Sequence, residues 1–251
     1  MRKPLVAGNW KMHGTRTENS ALVSAIVQGL SGDDRVDVAV CPPFVYLADV
    51  IRAVKDTLVA VGAQNVCAEP MGAFTGEVAA SMLRDVGCKY VIVGHSERRQ
   101  IYREDDALVA RKFLAVQQQK LLPILCVGET LDERERAETE QVVGRQLDAV
   151  LAVAGIGAMS RAVIAYEPVW AIGTGKNATP DQAQAVHACI RGRLARQDAK
   201  IASEIRILYG GSVKAANAGE LFAKPDVDGG LVGGAALKGE EFMRICGAAR
   251  P

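Results

Sequence analysis

Residues 122–127 read LPILCV, residues 133–151 read ERERAETEQVVGRQLDAVL, and residues 162–166 read AVIAY. The two short runs are mostly apolar and rich in branched side chains, which is typical of buried β-strands. The segment between them carries apolar residues at three- and four-residue spacing, which predicts an amphipathic helix. A strand, a helix and a second strand in this order predict two parallel strands joined by a crossover helix.

The same alternation continues in both directions until it spans the chain, and we predict eight strands with eight helical segments, of which 107–118 is another clear example. The predicted strands are 5–8, 36–41, 59–63, 90–93, 122–127, 162–166, 206–209 and 229–232. Since no Gly/Ser-rich linker, low-complexity tract or charge block divides 1–251, we predict a single domain.

Eight strand–helix units in about 250 residues favour a closed α/β barrel of the (β/α)₈ type over a doubly wound open sheet. The open sheet would carry a GxGxxG dinucleotide motif after its first strand, but the sequence there is Gly8-Asn9-Trp10-Lys11. In a closed parallel barrel the catalytic groups lie on the loops that leave the carboxyl ends of the strands. We therefore look for the site at those ends.

Composition excludes several classes of protein. Lys and Arg number 30 against 29 Asp and Glu, so the net charge of +1 offers no basic excess for a nucleic-acid partner. No run approaches the roughly 18 apolar residues of a membrane span, and Lys11 cuts the first apolar run too early for a signal peptide. The six cysteines form no CxxC pair and have no His at ligand spacing, so we expect no metal site and a cytoplasmic location.

The helix starts carry capping signals. Thr179, Pro180 and Gln182 combine a Thr N-cap, a proline at the first helical position and a reciprocal Gln. Asn217 with Glu220 is a similar but weaker N-cap signal. Both signals predict helices that follow the sixth and seventh strands.

Polar residues follow the first and fourth strands. Asn9 and Lys11 have the same parity, so in an extended segment they would share a face and a target. Lys11 alone is more typical of a solvated surface lysine. Glu97 could pair with Lys11 across the barrel mouth or could be an ordinary carboxylate at a helix N-terminus.

His95 directly follows the fourth predicted strand. An isolated His is more often a hydrogen-bonded structural residue than a catalyst, but its place at the barrel rim favours a functional role. A helix that begins just after His95 would disfavour the imidazolium and keep the ring neutral.

The sixth predicted strand delivers a carboxylate, Glu167, at the start of the loop 168–176, PVWAIGTGK. The apolar surroundings predict desolvation, which would raise the basicity of Glu167 and suit a general base, although a salt bridge at the rim is the alternative. Pro168 and the glycine-rich end of this loop suggest a hinged lid with an apolar body, which would exclude water. The sequence GTGK is not a nucleotide P-loop, because Trp170 occupies the upstream glycine position.

Glycine pairs end the last two predicted strands, in 209–212 (YGGS) and 229–234 (GGLVGG). Glycine lets backbone N–H groups approach an anion closely, and barrel enzymes often hold a phosphate with the loops after these two strands. One glycine pair could be an ordinary tight turn. Two pairs at these positions favour a phosphate site.

Together these motifs closely resemble the triosephosphate isomerase family, and the resemblance spans the whole chain. The segments that carry it are 8–11 (GNWK), 94–99 (GHSERR), 165–175 (AYEPVWAIGTG), 209–212 and 229–234. The resemblance implies a TIM barrel that interconverts dihydroxyacetone phosphate and D-glyceraldehyde 3-phosphate in glycolysis and gluconeogenesis, with links to the pentose phosphate shunt. It implies no metal and no organic cofactor.

The resemblance also implies residue roles, and this family is itself a standard example of a Glu base, a neutral His and a closing loop. Glu167 would move the carbon-bound proton, and His95, Lys11 and Asn9, with Glu97 beside them, would stabilise the enediolate oxygens. Backbone N–H groups would hold the phosphate dianion, at Gly173, Ser212, Gly233 and Gly234. The lid would contain Pro168, Trp170, Ile172, Gly173, Thr174, Gly175 and Lys176.

The segment 64–77, which begins at Gln64 and ends at Glu77, is long for a loop inside a compact domain, so it suggests a functional or interface role. By the same resemblance it is the loop of a homodimer, with Thr75 at its tip reaching into the partner's site.

Two other functions fit a phosphate-binding barrel. A Schiff-base aldolase would use Lys11 as its nucleophile, but the expected neighbours of Lys11 are Glu97 and a substrate oxygen. A barrel that only binds phosphate and a partner protein would not need Asn9, Lys11, His95 and Glu167 together.

Overall fold

The computed structural model describes residues 2–30, 32, 34–172 and 178–249. Its strands pair in parallel and in chain order, and the eighth strand closes on the first to complete a barrel. The strands are β1 (Leu5–Asn9), β2 (Asp37–Cys41), β3 (Val59–Ala63), β4 (Tyr90–Val93), β5 (Leu122–Val127), β6 (Val163–Tyr166), β7 (Arg206–Tyr209) and β8 (Gly229–Val232). The predicted α/β TIM barrel is confirmed, and the predicted strands differ from these by at most one residue at an end.

The helices lie between the strands and cover the outside of the barrel. They are α1 (Arg16–Gly29), α2 (Leu47–Ala53), α3 (Ala80–Val86), α4 (Ser96–Ile101), α5 (Asp106–Gln118), α6 (Leu131–Glu135), α7 (Thr139–Ala154), α8 (Pro180–Ala195), α9 (Ala199–Glu204), α10 (Ala215–Phe222) and α11 (Gly239–Ala248). The described residues therefore contain more helices than the predicted eight, because several connections hold two helices in succession.

The prediction of one helix over 133–151 is wrong. Thr130 caps α6 in a reciprocal capping box, in which the Glu133 carboxylate accepts the Thr130 N–H at 2.8 Å. The helix ends after Glu135, and Ala137 has a left-handed φ of 57°, which no α-helix tolerates. The periodic pattern crosses this break, since alanine carries no signal for a positive φ.

Of the two predicted caps, one is confirmed. The Gln182 N–H donates to Thr179 Oγ1 at 3.1 Å, and the Thr179 N–H donates to the Gln182 side chain at 3.0 Å. The prediction of Asn217 as an N-cap is wrong. The helix α10 begins earlier, and Asn217 accepts the N–H of the true cap, Lys214, at 2.8 Å.

Side chains fill the barrel interior, so the interior itself offers no channel. Along β5, Ile124 and Cys126 belong to an interior apolar cluster, whereas Leu125 and Val127 belong to the cluster between the strands and the helices. This alternation is the period of two that a strand covered on both faces requires. Open space is therefore left at the rim.

Gly229 provides a test of the closure between β8 and β1. Its φ is +119°, and a Cβ there would lie 2.0 Å from the Leu5 carbonyl oxygen. We expect Gly229→Ala to lower the free energy of unfolding by about 4 kcal/mol or more, or to prevent folding, because the backbone must move. Chemical denaturation measures the change.

The matched control is Gly219→Ala, in α10, where no atom lies within 4 Å of the added methyl group. This variant should gain up to about 1 kcal/mol from its better helix propensity. Wild-type stability in Gly229→Ala would contradict the described closure.

Candidate active site

A cavity of about 610 Å³ opens at the carboxyl ends of the strands, where the sequence predicts the site. It brings together residues that lie far apart in the chain. The predicted residues in its lining are Asn9, Lys11, His95, Glu167, Ile172, Ser212, Gly233 and Gly234. Its lining also contains Lys214, Lys238 and Glu241, which the sequence analysis missed.

Glu167 follows β6 directly, and its backbone N–H donates to the Val127 carbonyl at 2.8 Å. Its side chain is only 3% exposed. One carboxylate oxygen accepts the backbone N–H of Ser96 at 2.8 Å, and the other lies 2.9 Å from His95 Nε2. The carboxylate is therefore buried but well supplied with hydrogen-bond donors.

The expected net rise in the basicity of Glu167 does not occur in this conformation. Burial does raise the pKa of Glu167, but the interaction with His95 and the Ser96 N–H outweigh it, so the pKa is lowered. The sequence places the carboxylate correctly but does not reveal these donors. Burial would dominate the pKa of Glu167 only if the carboxylate left these donors.

His95 comes just before α4, as predicted, and its Nδ1 accepts the Glu97 N–H at 3.2 Å. In a neutral ring the proton is therefore on Nε2, which faces Glu167. Burial lowers the pKa of His95, but the charges of Glu167 and Glu97 raise it by more than burial lowers it, so the pKa is raised overall. The expectation that the start of α4 keeps the ring neutral is therefore wrong for this conformation, because the charges of Glu167 and Glu97 favour the protonated ring.

Lys11 reaches the cavity by a different route from the predicted one. β1 ends at Asn9 and Lys11 has a left-handed φ of 53°, so the two do not share a face of one strand. The Lys11 N–H donates to Asn9 Oδ1 at 3.0 Å, and Gln64 Nε2 donates to the Lys11 carbonyl at 2.8 Å. These two bonds offset the cost of the unusual backbone.

The Lys11 ammonium forms an ion pair with Glu97 at 2.5 Å. Glu97 is therefore the partner of Lys11 across the barrel mouth, which was the first of the two alternatives. Glu97 also lies in the first turn of α4 and is 42% exposed, so it stands at the edge of the cavity and not in its lining. Lys11 is not a freely solvated lysine.

The glycine loops after β7 and β8 form the opposite end of the cavity. A Cβ on Gly211 would lie 2.3 Å from the Tyr209 hydroxyl, so only glycine fits there. A Cβ on Gly233 would lie 3.4 Å from the Lys11 side chain, which places this loop beside the ammonium stem. Lys214 and Lys238 add positive charge at this end, which suits a phosphate dianion.

The first part of the predicted lid is described, and Gly173, Thr174, Gly175 and Lys176 lie outside the described residues. After Pro168 the chain forms a short 3₁₀ turn, Val169–Ala171, and Trp170 Nε1 donates to Glu129 at 3.0 Å. Glu129 is fully buried and also accepts the Tyr166 hydroxyl at 3.0 Å. Glu129 was not predicted from the sequence, where its only signal is an acid placed just after a buried strand.

The segment 64–77 follows β3 and exposes apolar side chains. Met71 is 80% exposed and Phe74 is 46% exposed, and Thr75, which follows Phe74, is also exposed. Further exposed apolar side chains lie on α3 and at the end of α4, including Met82, Ile101 and Tyr102. Exposed apolar groups in such number are typical of an interaction surface.

The described residues hold neither a cluster of metal ligands nor a helix that could span a membrane. Across 2–30, 32, 34–172 and 178–249, no three His, Cys, Asp or Glu side chains come together in a way that could hold a metal ion. No helix in the same ranges is both long enough and apolar enough to cross a membrane.

Known proteins match the chain over nearly its full length. A family model described as triosephosphate isomerase matches residues 4–249. The triosephosphate isomerase of Thiobacillus denitrificans is 64% identical over 249 residues, which cover 99% of each chain. Those of Nitrosococcus oceani and Pseudomonas syringae pv. tomato are 57% and 56% identical, over 99% of this chain and 100% and 99% of theirs. This chain therefore belongs to the triosephosphate isomerase family, as its motifs predicted.

Proposed function

We propose that this enzyme interconverts dihydroxyacetone phosphate and D-glyceraldehyde 3-phosphate through an enediolate, with Glu167 as the base. It is an aldose–ketose isomerase of glycolysis that also serves gluconeogenesis, and residues 1–251 act as one catalytic domain without a cofactor. The observation that carries the assignment of the base is the buried Glu167 carboxylate, 2.9 Å from His95 Nε2 in the cavity wall. All six cysteines are free, which supports a reducing, cytoplasmic location.

The isomerisation moves one hydrogen between neighbouring carbons and one between their oxygens, with no net oxidation. Glu167 takes the proton from the carbon beside the carbonyl, which leaves an enediolate, and returns it to the adjacent carbon. A single carboxylate therefore serves both steps. His95 donates from Nε2 to the developing oxyanion and relays the proton between the two oxygens.

The resting contacts of Glu167 must break before it acts. The Ser96 N–H and His95 hold its pKa down, and a carboxylate that leaves them inside the cavity loses those donors while burial still raises its pKa. The same movement frees His95 Nε2–H for the substrate oxygen. It also withdraws the larger of the two charges that raise the pKa of His95, so that burial favours the neutral ring.

The remaining cavity residues bind the two ends of the substrate. Lys11 and Asn9 face the enediolate oxygens, and Glu97 holds the Lys11 ammonium in place through their ion pair. That pairing disfavours the aldolase alternative, because a charged ammonium is a poor nucleophile. Backbone N–H groups of Ser212, Gly233 and Gly234 receive the phosphate.

We propose that the loop that begins at Pro168 acts as a lid over the cavity. Ile172, which already lines the cavity, helps to exclude water. Water exclusion strengthens the interaction of Lys11 and His95 with the enediolate. It also protects the intermediate from loss of phosphate.

The base assignment is tested by Glu167→Asp, which withdraws the carboxylate by one methylene. We expect kcat to fall by about 100-fold or more while KM changes little, because the lost interaction is made in the transition state. A coupled assay in both directions measures both constants. Glu220→Asp, at an exposed position on α10, is the control and should match the wild type; near-normal turnover in Glu167→Asp would refute the assignment.

We further propose that two copies associate through the segment 64–77, with Thr75 of each entering the other's site. Support comes from the exposed Met71 and Phe74 and from Gln64, which bonds the Lys11 carbonyl and so ties the start of this segment to the cavity. Burial of such apolar surface is the main driving force for association.

Sedimentation velocity tests the dimer. We expect a species of twice 26.7 kDa for the wild type, and a monomer with reduced activity for Phe74→Glu, because the charge cannot be buried in the interface. Val153→Glu, which alters an apolar side chain 56% exposed on α7, is the control and should remain dimeric. A monomeric wild type, or a dimeric Phe74→Glu variant, would exclude this interface.

A further inference from the structure

Gln146 on α7 is buried, and the two ends of its side-chain amide bind the backbone N–H and the backbone carbonyl of one residue, Gly128. Its Nε2 donates to the Gly128 carbonyl at 3.0 Å, and its Oε1 accepts the Gly128 N–H at 2.8 Å. Only 6% of Gln146 is exposed, so the pair is shielded from water. A double hydrogen bond of this kind fixes the position of Gly128 more firmly than a single bond would.

Gly128 in turn lies directly against the backbone of Glu167. A Cβ on Gly128 would lie 1.8 Å from the Glu167 carbonyl oxygen and 2.7 Å from its carbonyl carbon, so the two backbones are in van der Waals contact. The preceding residue, Val127, accepts the Glu167 N–H at 2.8 Å. The backbone of Glu167 therefore rests on residues 127–128, and Gln146 holds this support from the helix side.

A cavity beside residues 127–128 leaves room for them to move, so the two hydrogen bonds from Gln146 act as a clamp that holds them in place. A cavity of about 110 Å³ is lined by Ser96, Gly128, Gln146, Glu167 and Val169, among others. It is distinct from the substrate cavity, and Glu167 borders both. If the amide pair were lost, the loop after β5 would have room to relax into this space, and the backbone of Glu167 could follow.

We propose that Gln146 is a positioning residue for the isomerisation. By holding the backbone of Gly128, it fixes the position of the Glu167 backbone and hence of the carboxylate. It does not touch the substrate, since it lies outside the lining of the substrate cavity. This inference rests on the proposed role of Glu167 as the base. A displacement of about 1 Å at a reacting group can cost as much as 100-fold in rate, so a remote clamp can control turnover.

The test is Gln146→Met, which keeps the length of the side chain and removes both hydrogen bonds. We expect kcat to fall by about 10-fold or more with little change in KM, because positioning of the base affects the transition state and not substrate binding. Gln117→Met is the matched control. The Gln117 amide, at the end of α5, also makes two hydrogen bonds to backbone, to Ala158 and Arg161, but these residues precede β6, whereas Glu167 follows it.

Both variants lose a pair of hydrogen bonds to backbone, and the loss of thermal stability is expected to be smaller for Gln117→Met, because Gln117 is only half-buried. If Gln146 were merely structural, kcat would be unchanged or would fall equally in the two variants. Either result would overturn the proposal.

A double-mutant cycle with Glu167→Asp tests the route of the effect. In Glu167→Asp the carboxylate is already displaced, so adding Gln146→Met should lower kcat by less than it does in the wild type. An equal, additive loss would show that Gln146 does not act through the carboxylate. If Glu167→Asp alone had normal turnover, the base assignment itself would fail, which separates that failure from a failure of the clamp.

Should Gln146→Met not fold, Gln146→Asn replaces it in the same cycle. Asparagine keeps the amide but withdraws it by one methylene, so both bonds cannot form together. The same non-additive loss of kcat is expected, and an additive loss would again overturn the proposal.

Discussion

The contacts between Glu167, His95 and the Ser96 N–H link the charge states of the two reactive side chains. With the carboxylate at 2.8 Å from the Ser96 N–H and 2.9 Å from His95 Nε2, each residue stabilises the charged form of the other. Glu167 is then a weaker base, and His95 shares its Nε2 proton with Glu167 instead of a substrate. One movement of one carboxylate changes both properties. The rest of the site can be understood as the frame in which that movement takes place.

The barrel provides this frame through its topology. Parallel strands place all their carboxyl ends at one rim, so residues that follow β1, β4, β6, β7 and β8 meet, although the first and last of them are more than 200 positions apart in the chain. The filled interior gives the rim a rigid floor. Behind that floor, Gln146 fixes the loop on which the Glu167 backbone rests, so the backbone is held while the carboxylate side chain is free to reorient.

Much of this could be predicted from the sequence, and the limits have a physical reason. Strand positions follow from runs of apolar residues, and the cap at Thr179 follows from local chemistry. The left-handed backbone at Lys11 and Ala137 could not be predicted, because neither residue type favours it. The lowered pKa of Glu167 and the clamp at Gly128 were also missed. Both depend on groups from different strands and helices, which no local pattern records.

To act as a base, the Glu167 carboxylate must leave the Ser96 N–H and His95. A crystal structure of the enzyme with a stable hydroxamate analogue of the enediolate phosphate tests this movement most directly. We expect the carboxylate to lie against the carbon end of the analogue, with its bond to the Ser96 N–H broken and His95 Nε2 donating to an analogue oxygen. A bound analogue with Glu167 still on Ser96 and His95 would show that no such movement is needed.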